Sequence, residues 1–129
     1  MKIISVPGAT IDYRNDGIIH ITYEDKLLNL EEVSSIFKAT RQNAIWEITP
    51  ILATGGPFTN FEVDARAFIA SEEVMKHCSA VAMVSKTLGE KILANFYIKF
   101  NNPSKPTKFF SNKEEALNWL KQFETVAKK

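Results

Sequence analysis

The sequence predicts an α/β fold: a mixed, mostly parallel sheet of about five strands, opened by an N-terminal antiparallel hairpin and covered by four to five helices. Three observations carry that expectation. Ala9 to Glu24 alternates apolar and polar residues on both sides of Asn15-Asp16-Gly17, which is hairpin chemistry. Beyond it, helical and extended patterns take turns to the end of the chain. Near the middle, Ala80-Val81-Ala82-Met83-Val84 has no polar side chain and is closed on both sides by serines. A run so short and so apolar suits a strand covered on both faces.

In the hairpin, Ile11 and Tyr13 alternate before the turn, and Ile19, Ile21 and Tyr23 after it. His20 therefore points to the opposite face and reads as a surface or edge residue. Glu24-Asp25-Lys26 turns the chain. Asn29-Leu30-Glu31-Glu32 is a capping box opening a helix with Leu30, Val33, Ile36 and Phe37 inward. Trp46 to Thr54 is extended, but Pro50 cannot donate to a ladder, so this strand is bulged or starts at an edge.

Gly55-Gly56-Pro57 breaks the chain before Phe58 to Phe100, the stretch around which the rest is organised. Thr59-Asn60-Phe61-Glu62 fits a second capping box, with Phe58 and Val63 placed as its hydrophobic staple. Phe61, Ala65, Phe68 and Ile69 then give one apolar helical face, and Glu62 and Arg66 are spaced for an ion pair on the outer face. A short helix capped by Ser71 follows. After the apolar strand, Leu88 to Phe100 is helical by spacing, with Leu88, Ile92, Leu93, Phe96 and Phe100 on one stripe. Tyr97 and Ile98 widen that stripe beyond what packing on one sheet requires, and the surplus implies a second contact. Asn101 to Pro106 is a loop, Thr107 to Phe110 a last strand. Asn112 or Ser111 caps a closing helix with Ala116, Leu117, Leu120 and Phe123 inward and Trp119 flanking them.

A chain of 129 residues makes one domain, residues 1–129, large enough for a single core. Its one cysteine, Cys78, excludes an internal disulfide framework and fits a reducing, cytoplasmic setting. The apolar start is too short for a signal peptide, and no run approaches the about 20 residues of a membrane span. Net charge is +1 but unevenly spread. From Met75 to Phe110, Lys76, Lys86, Lys91, Lys99, Lys105 and Lys108 face one acid, Glu90, a basic half that suits anionic partners as well as plain solubility. Nucleic acid is excluded by the lack of an arginine cluster or a basic helix with interleaved aromatics.

No pattern of residues rises to a catalytic signature. Gly55-Gly56 alone is not a phosphate loop, and His20, His77, Cys78 and the scattered acids lack ligand spacing, so neither a metal nor another cofactor is expected. His77 and Cys78 are adjacent and point apart, which makes them a poor base–nucleophile pair. Asp64 and Arg66, near the Gly-Gly-Pro loop, are placed to bind an anion.

Asp64-Ala65-Arg66-Ala67-Phe68-Ile69-Ala70-Ser71-Glu72-Glu73, Ala80 to Val84, Asn95-Phe96-Tyr97, Pro106 to Phe110 and Glu114 to Leu120 together resemble the small bacterial proteins related to SpoIIAA and the STAS domains. The likeness runs from about Ala9 to Phe123 and is strongest after Asp64. It implies a four- or five-stranded sheet with helices packed around it. It also implies non-enzymatic roles: anti-sigma-factor antagonism, partner switching or small-ligand sensing, with lipid carriage in the CRAL-TRIO relatives of the fold. In the sigma-regulating members a serine directly after an aspartate, at the start of the second helix, is phosphorylated. Here Ala65 follows Asp64, so that acceptor is missing; Thr59, one turn earlier, is the substitute position, though a capping role accounts for it.

The leading expectation is thus a regulatory module that holds a protein partner, or its own copy, on the second helix and the Leu88–Phe100 helix. The alternative is a carrier or sensor of a small apolar or lipid-like molecule. Its tail would lie beneath the Leu88–Phe100 helix, and Lys91 or Lys99 would meet its acidic head.

Overall fold

A computed structural model describes residues 2–84 and 86–127 of the chain. β1 (Lys2–Val6) turns through Pro7-Gly8 into β2 (Ala9–Tyr13), which turns through Asn15-Asp16-Gly17 into β3 (Ile19–Tyr23), both pairings antiparallel. Both turns need a residue in the left-handed region, and glycine supplies it: φ is +95° at Gly8 and +86° at Gly17. The second hairpin is the predicted one. β1 lies outside the sequence expectation because Ile3 spoils the alternation that Ile4 and Val6 would otherwise make.

The chain then runs through β4 (Leu27–Leu28), α1 (Leu30–Asn43), β5 (Trp46–Thr54), β6 (Asn60–Phe61), α2 (Val63–Ile69), α3 (Glu72–Met75) and β7 (Cys78–Val84). It ends with α4 (Leu88–Asn101), β8 (Thr107–Phe110), α5 (Lys113–Leu120) and β9 (Val126–Ala127). β3, β5, β7 and β8 are parallel, so the sheet order is β1-β2-β3-β5-β7-β8, with β9 antiparallel to the start of β5. β4 and β6 form a separate parallel pair. His20 is therefore not at an edge: its strand has β2 on one side and β5 on the other.

The sheet divides the core in two. Ile19, Ile21, Ile51 and Val81 meet Val33, Ile36, Ala65 and Met75 on the side covered by α1, α2 and α3. Leu52, Ala80 and Ala82 face Ala116 and Leu120 of α5 on the other. The all-apolar run in β7 is thus covered on both faces, as its composition requires. Pro50 is buried in β5, and the register with β7 shifts between Thr49 and Ile51, the bulge its missing N–H demands.

Asn29 caps α1 through a complete capping box, and Thr87 and Asn112 cap α4 and α5 by accepting from the amides of Glu90 and Glu115. On α1, Val33, Ile36 and Thr40 are buried and Phe37 half-buried, while Leu30 is exposed rather than inward.

Two local expectations are corrected. Thr59 does not cap a helix. Its Oγ1 donates to the Glu24 carbonyl (2.8 Å) and accepts from the Gly56 amide (2.9 Å), and Asn60-Phe61 is strand. The amides of Asn60 and Glu62 already donate to the Lys26 and Leu28 carbonyls, so extended pairing takes the residues a capping box would use. α2 begins one turn later, and Phe58 and Val63 are both exposed, so no staple forms.

The second correction concerns α4. Its Leu88, Ile92, Phe96 and Phe100 are 73%, 58%, 43% and 64% exposed, whereas Ala94 and Tyr97 are buried. Glu90, Ala94, Tyr97 and Asn101 recur at helical spacing and form the inward arc. Apart from Leu93, which lines the space beneath the helix, the apolar stripe expected to pack on the sheet is the outer ridge, and one of the two surplus residues, Tyr97, is the inward one.

Candidate functional site

Between α4 and the sheet lies a cavity of about 190 Å³. Its floor is Ile19, Ile21, Ile51 and Val81, its far wall is Val33, Ile36 and Phe37 of α1, and its roof is Leu93, Ala94 and Tyr97 of α4. The geometry follows from residue size. Ala94 is the small residue at the centre of the helix underside, so α4 spans the sheet without filling the space beneath it. Gly55 and Leu93 are the lining residues open to solvent, which puts the mouth between the loop after β5 and the first turns of α4. That is the carboxyl end of the parallel strands, where open α/β sheets place their ligand crevices.

The loop at the mouth is tightly built. A methyl group on Gly55 would strike the Thr59 side chain, and one on Gly56 would strike the Asp25 carboxyl group, whose Oδ1 accepts from the Phe58 amide. The Gly-Gly pair is therefore explained by close approach.

Polar groups in the cavity wall are mostly spoken for. Thr40 donates to the Ile36 carbonyl at 2.8 Å, and Thr49 donates to the Gly17 carbonyl. Tyr97 is only 8% exposed, and its hydroxyl has no hydrogen-bond partner among the described residues. Burial raises the pKa of Tyr97 and of Tyr23, whose ring meets Phe61 edge-on at 4.9 Å. It also pushes the Cys78 thiol up to about 12, so the sulfur stays protonated at neutral pH. The His77 ring meets Glu47, its Nδ1 lying 3.2 Å from Glu47 Oε1.

The residues singled out in the sequence divide into two groups. Thr59, Arg66 and Tyr97 line the cavity, and Phe96 joins them through Arg66, whose guanidinium lies 5.4 Å from the ring centre. Asp64 is exposed and lines no part of the cavity; Ile98 is half-buried on α4, also outside the lining. Lys91 lies over Phe109 and Lys99 over Phe100, at 5.4 and 5.6 Å, and neither reaches the cavity. No Glu62–Arg66 ion pair forms among the described residues. Tyr23, Phe37, Met83 and Cys78 also line the cavity. Of these, Tyr23 was within reach of the sequence, since alternation puts it on the face of Ile19 and Ile21.

On the opposite sheet face His20 Nε2 lies 2.8 Å from Thr54 Oγ1. Asp12 is directly opposite His20 in the register, and its Oδ1 has no partner among the described residues, so no bond to that oxygen orients the ring. Among the described residues no group of three or more His, Cys, Asp or Glu is placed to hold a metal, and no helix is long and apolar enough to cross a membrane.

Residues 12–124 match the profile of a family described as a domain of unknown function, DUF7793. None of the curated proteins matches the chain. Among solved structures, an uncharacterised protein of the DUF3478 family with a SpoIIAA-like fold, from Shewanella loihica PV-4, superposes with a TM-score of 0.60 at 16% identity. That similarity covers 87% of this chain and 91% of the other. A protein of unknown function from Arthrobacter sp. FB24 is matched over 85% of this chain and 96% of its own, at 20% identity and a TM-score of 0.32.

Proposed function

Because the chain belongs to the DUF7793 family and has a SpoIIAA-like fold, we propose that it is a non-enzymatic binding module that takes a small, mainly apolar molecule beneath α4. The observation that carries this reading is the cavity of about 190 Å³ under Ala94 and Tyr97, apolar on nearly every wall. An apolar cavity of about 150 Å³ suffices to bind benzene. The buried Tyr97 hydroxyl gives such a guest one polar handle.

Sensing or carriage suits this arrangement better than a phosphoswitch. Ala65 is fully buried and has no hydroxyl, and the Thr59 hydroxyl is held between Glu24 and Gly56. Catalysis is disfavoured by a Cys78 thiol held protonated beside a His77 whose Nδ1 is turned to Glu47.

A second reading is favoured by the outer ridge of α4. Leu88, Ile92, Phe96 and Phe100 form a solvent-facing apolar strip with Lys91 and Lys99 on the same helix. Two copies would bring those lysines together, so the occupant it suits is a different protein with an acidic rim.

Amide NMR spectra recorded with and without benzene separate the two. The pocket reading expects saturable shifts at Val81, Ala94 and Tyr97, abolished by Ala94→Phe. Shifts confined to the α4 ridge, or none, would overturn it.

A further inference from the structure

The charges around the cavity narrow what it takes. Arg41, His77 and Arg66 are the cationic or potentially cationic side chains in its wall. Arg41 donates to the Trp46 carbonyl at 3.3 Å and pairs with Glu47, which also faces His77. Arg66 is different. It forms no ion pair among the described residues, and its guanidinium rests on the half-open face of Phe96. Phe96 follows Leu93 by three positions on α4, so Arg66 stands beside the mouth. The acid in this part of the wall, Glu90, is engaged at the start of α4, where its Oε2 accepts from the Lys86 amide at 2.7 Å.

Volume sets a second limit. About 190 Å³ is little more than one aromatic ring needs and excludes a two-chain lipid. Resting on the pocket reading above, we infer that the occupant is a small carboxylic acid whose apolar body, about one aromatic ring in size, lies under Ala94 and Tyr97 while its carboxylate pairs with Arg66. The planar fork of a guanidinium suits a carboxylate, and a fork that stacks on Phe96 but makes no ion pair among the described residues leaves its donors available. Lys91 and Lys99, the head-group residues expected from sequence, are held outside over Phe109 and Phe100. The geometry passes that role to Arg66.

Calorimetric titration with 3-phenylpropionate and 3-phenyl-1-propanol tests this, because the two differ only in the head group. For the wild type the acid should bind about tenfold more tightly than the alcohol, as a charge-assisted hydrogen-bonded pair provides. In Arg66→Gln that gap should close while the alcohol's affinity holds, and Arg66→Lys should fall between. Equal affinities for acid and alcohol in the wild type, or an acid affinity untouched by Arg66→Gln, would overturn the head-group assignment and leave the pocket standing. Loss of both ligands in both variants would mark Arg66 as a packing residue and overturn the assignment too. Binding of neither compound to the wild type would overturn this inference together with the pocket.

Discussion

Arg66 ties α2 to α4 by laying its guanidinium over Phe96, 5.4 Å from the ring centre. Arg66 is half-buried and Phe96 partly exposed, and a pair so close to solvent contributes about 0.5–1 kcal/mol. Phe96→Ala should therefore lower the urea midpoint only slightly while markedly speeding amide exchange along α4. Because Ala94 and Tyr97 form the cavity roof, a loosened α4 also exposes the site more often. Unchanged exchange in α4 would mean that this tie does not hold the helix.

Thr59 is predicted to act through its loop. Its hydroxyl both donates to Glu24 and accepts from Gly56, so Thr59→Val keeps the shape and strands the Gly56 amide, while the Glu24 carbonyl keeps its bond from the Lys26 amide. The expected loss is about 1 kcal/mol in urea unfolding. Thr59→Glu should be worse, since a carboxylate there meets the Glu24 carbonyl it cannot donate to. A neutral Thr59→Val would return this residue to the surface role that a loose loop implies.

These two positions also mark what the sequence could and could not disclose. The Asn29 box was legible because its bonds close within four residues, and β7 because no face of Ala80 to Val84 tolerates water. The Thr59 box was equally well formed on paper. It lost to pairing with Lys26 and Leu28, more than thirty residues away, which no local pattern records. For α4 the sequence pointed to one broad apolar stripe as the packing side, yet the arc that faces the sheet carries Glu90, Ala94, Tyr97 and Asn101, a choice made by the surrounding elements and not by apolar count. The cavity itself was expected only as an alternative, because an unfilled volume is a property of packing among distant residues. Arg66 and Tyr97 could be named from the chain, but their shared cavity depends on the turn of α4 about its axis.

His20 gives stability a slope with pH. Burial, then Lys113, lowers its pKa from the ordinary 6.5. The folded protein therefore prefers the neutral ring, and the unfolded chain takes the proton first. This contribution is complete above the ordinary value and declines as pH falls from 6.5 toward the lowered folded pKa. Urea unfolding of the wild type should show decreasing stability across that window, and His20→Gln should flatten that part of the curve. Asp12 opposes the effect and Arg14 adds to it, so both are left intact in the comparison. An identical slope in the variant would assign the decline to other groups.

Tyr97→Phe should stabilise the free protein. The buried hydroxyl makes no hydrogen bond among the described residues, and a buried polar group left in that state costs about 1–3 kcal/mol. Phenylalanine keeps the ring against Ala94 and the sheet while removing the unsatisfied oxygen. The free variant is thus expected to unfold at higher urea by roughly 1 kcal/mol, against the usual direction for a change in a buried residue. The same substitution should weaken any guest whose polar atom meets that hydroxyl, so stability and affinity would move in opposite senses. A wall residue shaped only by packing would not do this. A destabilised Tyr97→Phe would show that the oxygen is already satisfied within the fold, and the cavity would lose its polar handle.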